Sequence, residues 1–109
     1  MPRKKRTHSD IRAEKDALYT ELDRGALTLG QATRRMRKII GVTQAEYATR
    51  VLKIFPRVLM DLENDHGNPT LETLEKVAKP FGLKVSFVRQ KREESNDSVP
   101  LAQGRVDGL

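Results

Sequence analysis

The sequence predicts an all-α fold of about five helices followed by one short C-terminal strand, and three observations carry this prediction. Apolar residues recur at helical spacing in successive stretches of the chain. Thr residues three positions before Gln or Glu form capping boxes at the start of two stretches. Glycines and prolines stand where the stretches end or begin. With 109 residues, 37% of them hydrophobic, the chain has enough apolar side chains for one small core.

The first predicted helix is an N-terminal addition to the bundle. Ser9 or Asp10 is expected to cap it, and it runs to about Arg24, where Gly25 supplies a left-handed stop. Its apolar stripe is thin but helical in spacing, and consists of Ile11, Leu18 and Leu22.

Two capping boxes predict the next two helices. Thr28 pairs with Gln31 at the start of a helix that Gly41 ends, and Thr43 pairs with Glu46 at the start of a shorter one. The predicted core stripe of the longer helix is Leu29, Ala32, Met36, Ile39 and Ile40. The inward residues of the shorter helix are Tyr47, Ala48 and Val51.

Two more helices and a strand complete the prediction. Pro56 suits the first turn of a helix, where its missing N–H costs nothing. Thr70 caps the last helix, and Pro80 distorts the final turn of that helix. The expected core residues of these two helices are Val58, Leu59, Leu62, Leu71, Leu74, Val77, Ala78 and Phe81. Residues 83–88 then switch to a period of two, which is typical of a strand.

A strand without a partner in its own chain predicts self-association, because its unpaired N–H and C=O groups can pair with a second copy. We expect antiparallel pairing about a two-fold axis through Leu83, Val85 and Phe87. The alternative dimer surface is the stripe of the N-terminal helix.

Composition divides the chain into three parts. Residues 1–8 are a basic flexible arm, residues 9–89 are the folded domain, and residues 90–109 are a polar, disordered tail. The arm residues Arg3, Lys4, Lys5 and Arg6 either enter the minor groove of DNA or only aid solubility. Residues 29–60 carry seven basic side chains and one acidic one, so a polyanion is their natural partner.

Several classes of protein are excluded by composition. The chain has no Cys, so it has no disulfide scaffold and no thiol nucleophile, and we expect no enzyme activity. A polar segment follows the basic N-terminus, which predicts a cytoplasmic, nucleoid-associated protein without a membrane segment. Asp61, Glu63, Asp65 and His66 resemble a metal cluster in composition only, since their spacing fits no standard ligand set. We therefore expect no metal, no cofactor and no small-molecule ligand.

Two short helices separated by a four-residue turn form a predicted helix-turn-helix. The stretch Arg37-Lys38-Ile39-Ile40-Gly41-Val42-Thr43-Gln44-Ala45-Glu46-Tyr47-Ala48, with Leu62-Glu63-Asn64 and residues 67–74, resembles the XRE family of bacterial and phage repressors. The resemblance covers roughly residues 27–83. It implies a lambda-repressor-like bundle that binds specific duplex DNA, usually as a dimer.

The resemblance also implies roles for individual residues. Gln44 matches the phosphate-contacting residue of the family, and Arg37 and Glu63 match a structural salt bridge. The base-reading candidates are Pro56, Arg57, Met60 and Asp61. The further phosphate candidates are Thr43, Arg34, Lys38, Lys53 and Asn64.

The roles of two of these residues stay open. Asp61 either accepts a hydrogen bond from cytosine N4 or pairs with Arg57, and Met60 either touches a thymine methyl or packs on a neighbouring helix. The chain also departs from the family twice. The turn at residues 52–55 holds no Gly and is one residue longer, and Phe55 stands where a capping Ser or Thr is expected.

The predicted function is that of a transcriptional regulator, with repression as the expected mode, which binds a pseudo-palindromic operator as a homodimer. The alternative is an antitoxin, which silences a toxin protein and binds its own promoter. A third reading is a nucleoid protein that binds all DNA alike.

Overall fold

The structure is a computed structural model that describes residues 6–89, and the regular secondary structure within this range is all helical. The helices are α1 (His8–Asp23), α2 (Leu29–Ile40), α3 (Gln44–Glu46), α4 (Pro56–Glu63) and α5 (Leu71–Ala78). A π-helical segment, Tyr47–Leu52, continues α3, and a 3-10 turn, Lys79–Phe81, ends α5 at Pro80 as expected. The predicted all-α class is confirmed for the described residues. None of these helices has the length and apolar character needed to cross a membrane.

Most helix ends follow the sequence prediction. Thr28 and Thr43 each close a capping box, and Gly41 ends α2 in the left-handed conformation. The predicted cap of α1 was wrong. Thr7 is the cap, and Asp10 is its box partner, because the Thr7 hydroxyl accepts from the Asp10 N–H while the Asp10 carboxylate accepts from the Thr7 N–H. Helix α1 therefore begins inside the stretch predicted as a flexible arm.

One core joins α1, α2, α4, α5 and the π-helical segment. Its residues come from α1, α2, the π-helical segment, α4 and the end of α5, and they are Leu18, Ala32, Met36, Ile39, Tyr47, Ala48, Leu52, Leu59, Leu62, Val77 and Phe81. Leu29, Ile40 and Leu71, which were predicted to be in the core stripes, are exposed instead. These three lie at the first or last position of their helices, where no second element covers them.

Helix α1 is part of this core rather than a free surface. Leu18 is completely buried, and Ile11 and Leu22 pack against the same cluster. The Tyr19 hydroxyl donates a hydrogen bond to the Phe81 carbonyl oxygen at 3.0 Å, which ties α1 to the end of α5. The stripe proposed as the alternative dimer surface is thus used largely within the chain, and the choice of dimer surface stays a prediction.

The longer turn between α3 and α4 is absorbed by the π-helical segment. The Lys53 and Ile54 N–H groups both donate to the Ala48 carbonyl oxygen, so the backbone loop is wider than in an α-helix. Lys53 then takes a left-handed conformation with φ of 60°, at the position where a Gly would be expected. The extra residue is accommodated by a wider final turn, with α4 starting immediately afterwards at Pro56.

The predicted strand at residues 83–88 has no ladder partner within the described part of this single chain. Leu83 packs against the core, whereas Val85 is 39% exposed and Phe87 is fully exposed. The pairing of this segment with a second copy therefore stays a prediction. Residues 1–5, with Arg3, Lys4 and Lys5, and the predicted tail at 90–109 lie outside the described residues.

Candidate nucleic-acid interface

A buried ion pair connects α2 to the end of α4. Arg37 donates from Nε to Glu63 Oε2 at 2.7 Å and from Nη2 to Glu63 Oε1 at 2.9 Å, a two-pronged contact. Gln44, the first residue of α3, donates from Nε2 to the same Oε1 atom at 2.9 Å. The Glu63 side chain is 0% exposed. These three residues therefore fix α2, α3 and α4 to one another, and we call them the Glu63 cluster.

The Glu63 cluster holds its charge in spite of burial. Burial alone raises the pKa of Glu63, but the hydrogen bonds from Arg37 and Gln44 outweigh it and leave the pKa below its ordinary value. The hydrogen bond to Glu63 raises the pKa of Arg37 in turn. Nearby, burial raises the pKa of Tyr47 to about 12, so its hydroxyl stays neutral. The cluster is accordingly an ionised pair at neutral pH.

Arg34 continues this network to the surface. Its Nη2 atom donates to the Glu63 carbonyl oxygen at 3.0 Å and to Asn64 Oδ1 at 3.2 Å. Its Nε lies 3.8 Å from Glu63 Oε1, and 44% of its side chain is exposed. Asn64 is the C-terminal cap of α4 and is exposed. Arg34 and Asn64 are therefore brought together at one end of α4, where both present polar atoms to solvent.

The outward face of α4 holds the predicted base-reading residues. Arg57 is 78% exposed at the side chain, and its Nε lies 3.5 Å from Asp61 Oδ1, one helical turn further on. Met60 lies between them in sequence and is 37% exposed. Pro56 is the first helical residue and is exposed. The four side chains thus line the face opposite the buried Leu59 and Leu62.

The remaining phosphate candidates lie in the last turn of α2, at the start of α3 and in the turn before α4. Thr43 caps α3, and the hydrogen bonds it makes with Glu46 lower the pKa of that carboxyl group. Lys38 is exposed in the last turn of α2, and Lys53 is exposed in the turn before α4. The amide of Gln44 reaches inward to Glu63, so its contact with DNA would use the backbone N–H or the remaining amide atoms.

Sequence reasoning missed the roles of two residues. Arg6 was assigned to the arm, but its guanidinium donates to the carbonyl oxygens of Lys38 and Ile39 at the end of α2 and pairs with Glu14 on α1. Asp65 was considered only as part of a metal cluster. Its Oδ1 accepts from the Gly30 N–H at 2.9 Å, and its Oδ2 accepts from the Thr28 hydroxyl at 2.8 Å.

Arg6 and Asp65 supply hydrogen-bond partners to unpaired backbone groups at the two ends of α2. Arg6 supplies positive charge and donors to the C-terminal carbonyl groups, and Asp65 supplies negative charge to the N-terminal N–H groups, as the helix dipole favours. The groups of α2 that Arg6 and Asp65 contact lie more than 30 residues away in sequence, so no local sequence motif indicates these contacts. Among residues 6–89 no group of three His, Asp or Glu side chains is arranged to hold a metal ion.

Comparison with known proteins gives one informative relative. No family model matches the chain, and no solved structure matches it. Over 62 residues the chain is 37% identical to a protein described as the immunity repressor protein of Bacillus phage phi105. The matched stretch makes up 57% of this chain and 42% of that repressor, so the chain spans less than half of its relative.

Proposed function

We propose that the chain is a sequence-specific transcriptional regulator that binds double-stranded DNA through α4. One observation carries the proposal: the Glu63 cluster fixes α4 against α2 and α3 by its inward face and leaves Arg57 and Asp61 on an exposed face. A recognition helix must be held in this way, since base contacts depend on its orientation in the major groove. The similarity to a phage immunity repressor supports the same function and favours repression.

The charges around α4 suit the DNA backbone. Arg34, Lys38 and Lys53 are all exposed, and Arg34 lies beside Asn64 at the end of α4. Contacts of this kind set the position of a protein on the duplex but carry no sequence information. The base-reading role falls to Arg57, because an Arg near the start of a recognition helix can bond a guanine through O6 and N7.

The proposed active species is a homodimer on a pseudo-palindromic operator. The exposed apolar side chains of Val85 and Phe87 would pair with those of a second copy through the predicted strand. A two-fold axis would separate the two α4 helices by about 34–36 Å, one turn of DNA, or by a multiple of that distance. The same arrangement places a half-site of the operator under each copy.

Selection from a pool of random duplexes tests the proposal. We expect the full chain to enrich one pseudo-palindromic motif, and to bind it more weakly as salt increases. In Arg57→Ala, binding to the motif should weaken by about 1–3 kcal/mol and preference should relax at one base step per half-site. Arg12→Ala, which removes an exposed Arg from α1 instead of α4, is the matched control and should bind like the wild type.

Each outcome of this selection has a clear meaning. Enrichment of no motif, with equal binding to random DNA, would show a nucleoid protein instead of a regulator. A motif whose binding and base preference are the same in Arg57→Ala would show that α4 is not the recognition helix. The selection does not separate the regulator from the antitoxin, because both bind specific DNA; a toxin gene next to the gene of this chain would favour the antitoxin.

A further inference from the structure

Phe55 is an aromatic residue that the fold of the single chain does not use. It is 79% exposed, although it directly precedes α4, and it is absent from the core and from the side chains packed around it. It stands at the cap position in extended backbone with φ of −70° and ψ of 141°, and makes no side-chain capping bond. A Ser there would cap α4 and stabilise it, typically by about 1 kcal/mol. The aromatic ring therefore gives up local stability without adding to the core.

An exposed arginine and an open groove lie near Phe55 at the start of α4. Arg57, two residues further on, has a side chain that is 78% exposed, so the start of α4 presents both an aromatic ring and a guanidinium to solvent. An open groove of about 470 Å³ lies at the base of the ring, and Ile54, Pro56 and Val58 form part of its wall. This end of α4 is thus an apolar surface next to a cation.

We infer that Phe55 is a specificity-determining residue that contacts the C5-methyl group of a thymine in the major groove, next to the base read by Arg57. The inference rests on the proposed function. The residues near the N-terminus of a recognition helix lie closest to the base edges. A phenyl ring offers no hydrogen bond, and thymine is the base that presents an apolar group in the major groove. The ring would therefore favour thymine over cytosine at one position of each half-site.

The charges beside the groove favour DNA over a second copy of the chain as its occupant. Lys53 and Lys76 form one rim, where the Lys76 Nζ donates to the Lys53 carbonyl oxygen at 3.3 Å. The groove is also lined by one acidic residue, Glu72, whose Oε2 atom lies 3.7 Å from the Lys76 Nζ atom. Two copies that met through this face would bring more like than opposite charge together, since the wall holds two lysines and one glutamate. A phosphate backbone beside the same rim would gain from both lysines.

Removal of a single methyl group from the DNA tests the inference. Each thymine of the selected operator is replaced in turn by deoxyuridine, which keeps the base pair and lacks only the C5-methyl group. Binding of the wild type should weaken about three- to fivefold at one thymine per half-site, the value expected for one buried methyl group. Phe55→Ala should bind the thymine and uracil duplexes equally, and Phe55→Leu should keep part of the difference.

The comparison separates failure of the inference from failure of the proposed function. A Phe55→Ala protein that still discriminates thymine from uracil, or a wild type that never does, overturns the role of Phe55 while leaving DNA recognition intact. A Phe55→Ala protein that melts like the wild type but loses its dimer without DNA would assign the ring to self-association instead. If the wild type selects no motif at all, the proposed function itself fails.

Discussion

Gly30 lies so close to Leu62 that a Cβ atom placed on it would stand 2.6 Å from the Leu62 carbonyl oxygen. The Asp65 carboxylate crowds the same point, with its Cγ and Oδ1 atoms both at 2.8 Å from that Cβ position. The first turn of α2 therefore packs directly on the backbone at the end of α4. This close approach is what allows the Gly30 N–H to reach Asp65.

The Gly30→Ala variant should be destabilised, although Ala is normally the better helix former. Because backbone atoms of α4 must move to admit the methyl group, we expect a loss of about 1–3 kcal/mol in the free energy of unfolding. Urea denaturation measures it. Gly67→Ala is the control. Gly67 has open space around its Cβ position and a φ of 75°, so the loss of stability in this variant measures backbone strain without a steric clash. An increase in the stability of Gly30→Ala would contradict the packing described here.

Glu63→Ala should lower stability without DNA, because it leaves Arg37 and Gln44 without their acceptor. Loss of one partner of a buried pair costs about 3–5 kcal/mol, and the lower end applies here because Arg37 can still reach water. Thermal melting of the DNA-free protein gives the result. Glu75→Ala removes an exposed Glu from α5 and should melt like the wild type. Wild-type melting of Glu63→Ala would refute a structural role for the cluster.

Stability should also fall in acid in a way that depends on Glu63. The pKa of Glu63 is lower in the folded protein than in the unfolded chain, so its contribution is complete above the unfolded value of about 4.3. That contribution is lost as the pH falls through the folded pKa, since protonation breaks the pair. The free energy of unfolding of the wild type should therefore drop more steeply below pH ~4.3 than that of Glu63→Gln. Parallel curves would mean that Glu63 does not titrate as the geometry requires.

Lys53→Gly should change stability and DNA binding in opposite directions. Gly adopts a φ of 60° without the strain of a side chain, so the free energy of unfolding should rise by about 1 kcal/mol. Loss of one phosphate contact should reduce the slope of log binding constant against log salt concentration by about one. Lys53→Ala separates the two effects, since it removes the charge and keeps the strained backbone. A Lys53→Gly protein that is less stable than Lys53→Ala would contradict the strain at this turn.

Val85→Pro should give a monomer that binds the operator weakly. Proline removes one N–H donor from the predicted ladder, and Val85 is exposed in the single chain, so the fold should tolerate the change. Sedimentation of the DNA-free protein measures the state of assembly. Val85→Thr, which keeps both the N–H group and the β-branched shape, should remain a dimer. A dimeric Val85→Pro protein, or a monomeric wild type at micromolar concentration, would rule out assembly through this strand.

The sequence predicted those features whose causes lie within a few residues. Thr28 and Thr43 close their capping boxes with residues three positions ahead, and Gly41 provides the left-handed end that its missing Cβ allows. The cap of α1 was harder to place, because Thr7, Ser9 and Asp10 are all acceptable caps. What decides among them is which one finds a partner three positions further on, and Asp10 serves Thr7.

Features that depend on distant parts of the chain escaped prediction. Asp65 caps α2 only because the fold brings it to Gly30, and Arg6 meets the end of α2 for the same reason. The apolar pattern also did not indicate the π-helical segment, since burial of Tyr47 and Ala48 is compatible with an α-helix as well as with a π-helix. The Arg37 and Glu63 positions came from the resemblance to a family, not from spacing.

The burial of Leu18 has a consequence for how the protein opens. Because this completely buried side chain belongs to the same core cluster as residues of α2 and α4, α1 cannot detach without opening that cluster to water. Local fraying is therefore suppressed where terminal segments usually show it most. Amide hydrogen exchange in the middle of α1 should be as slow as in α2, and both should follow global unfolding, so that the helices form one cooperative unit.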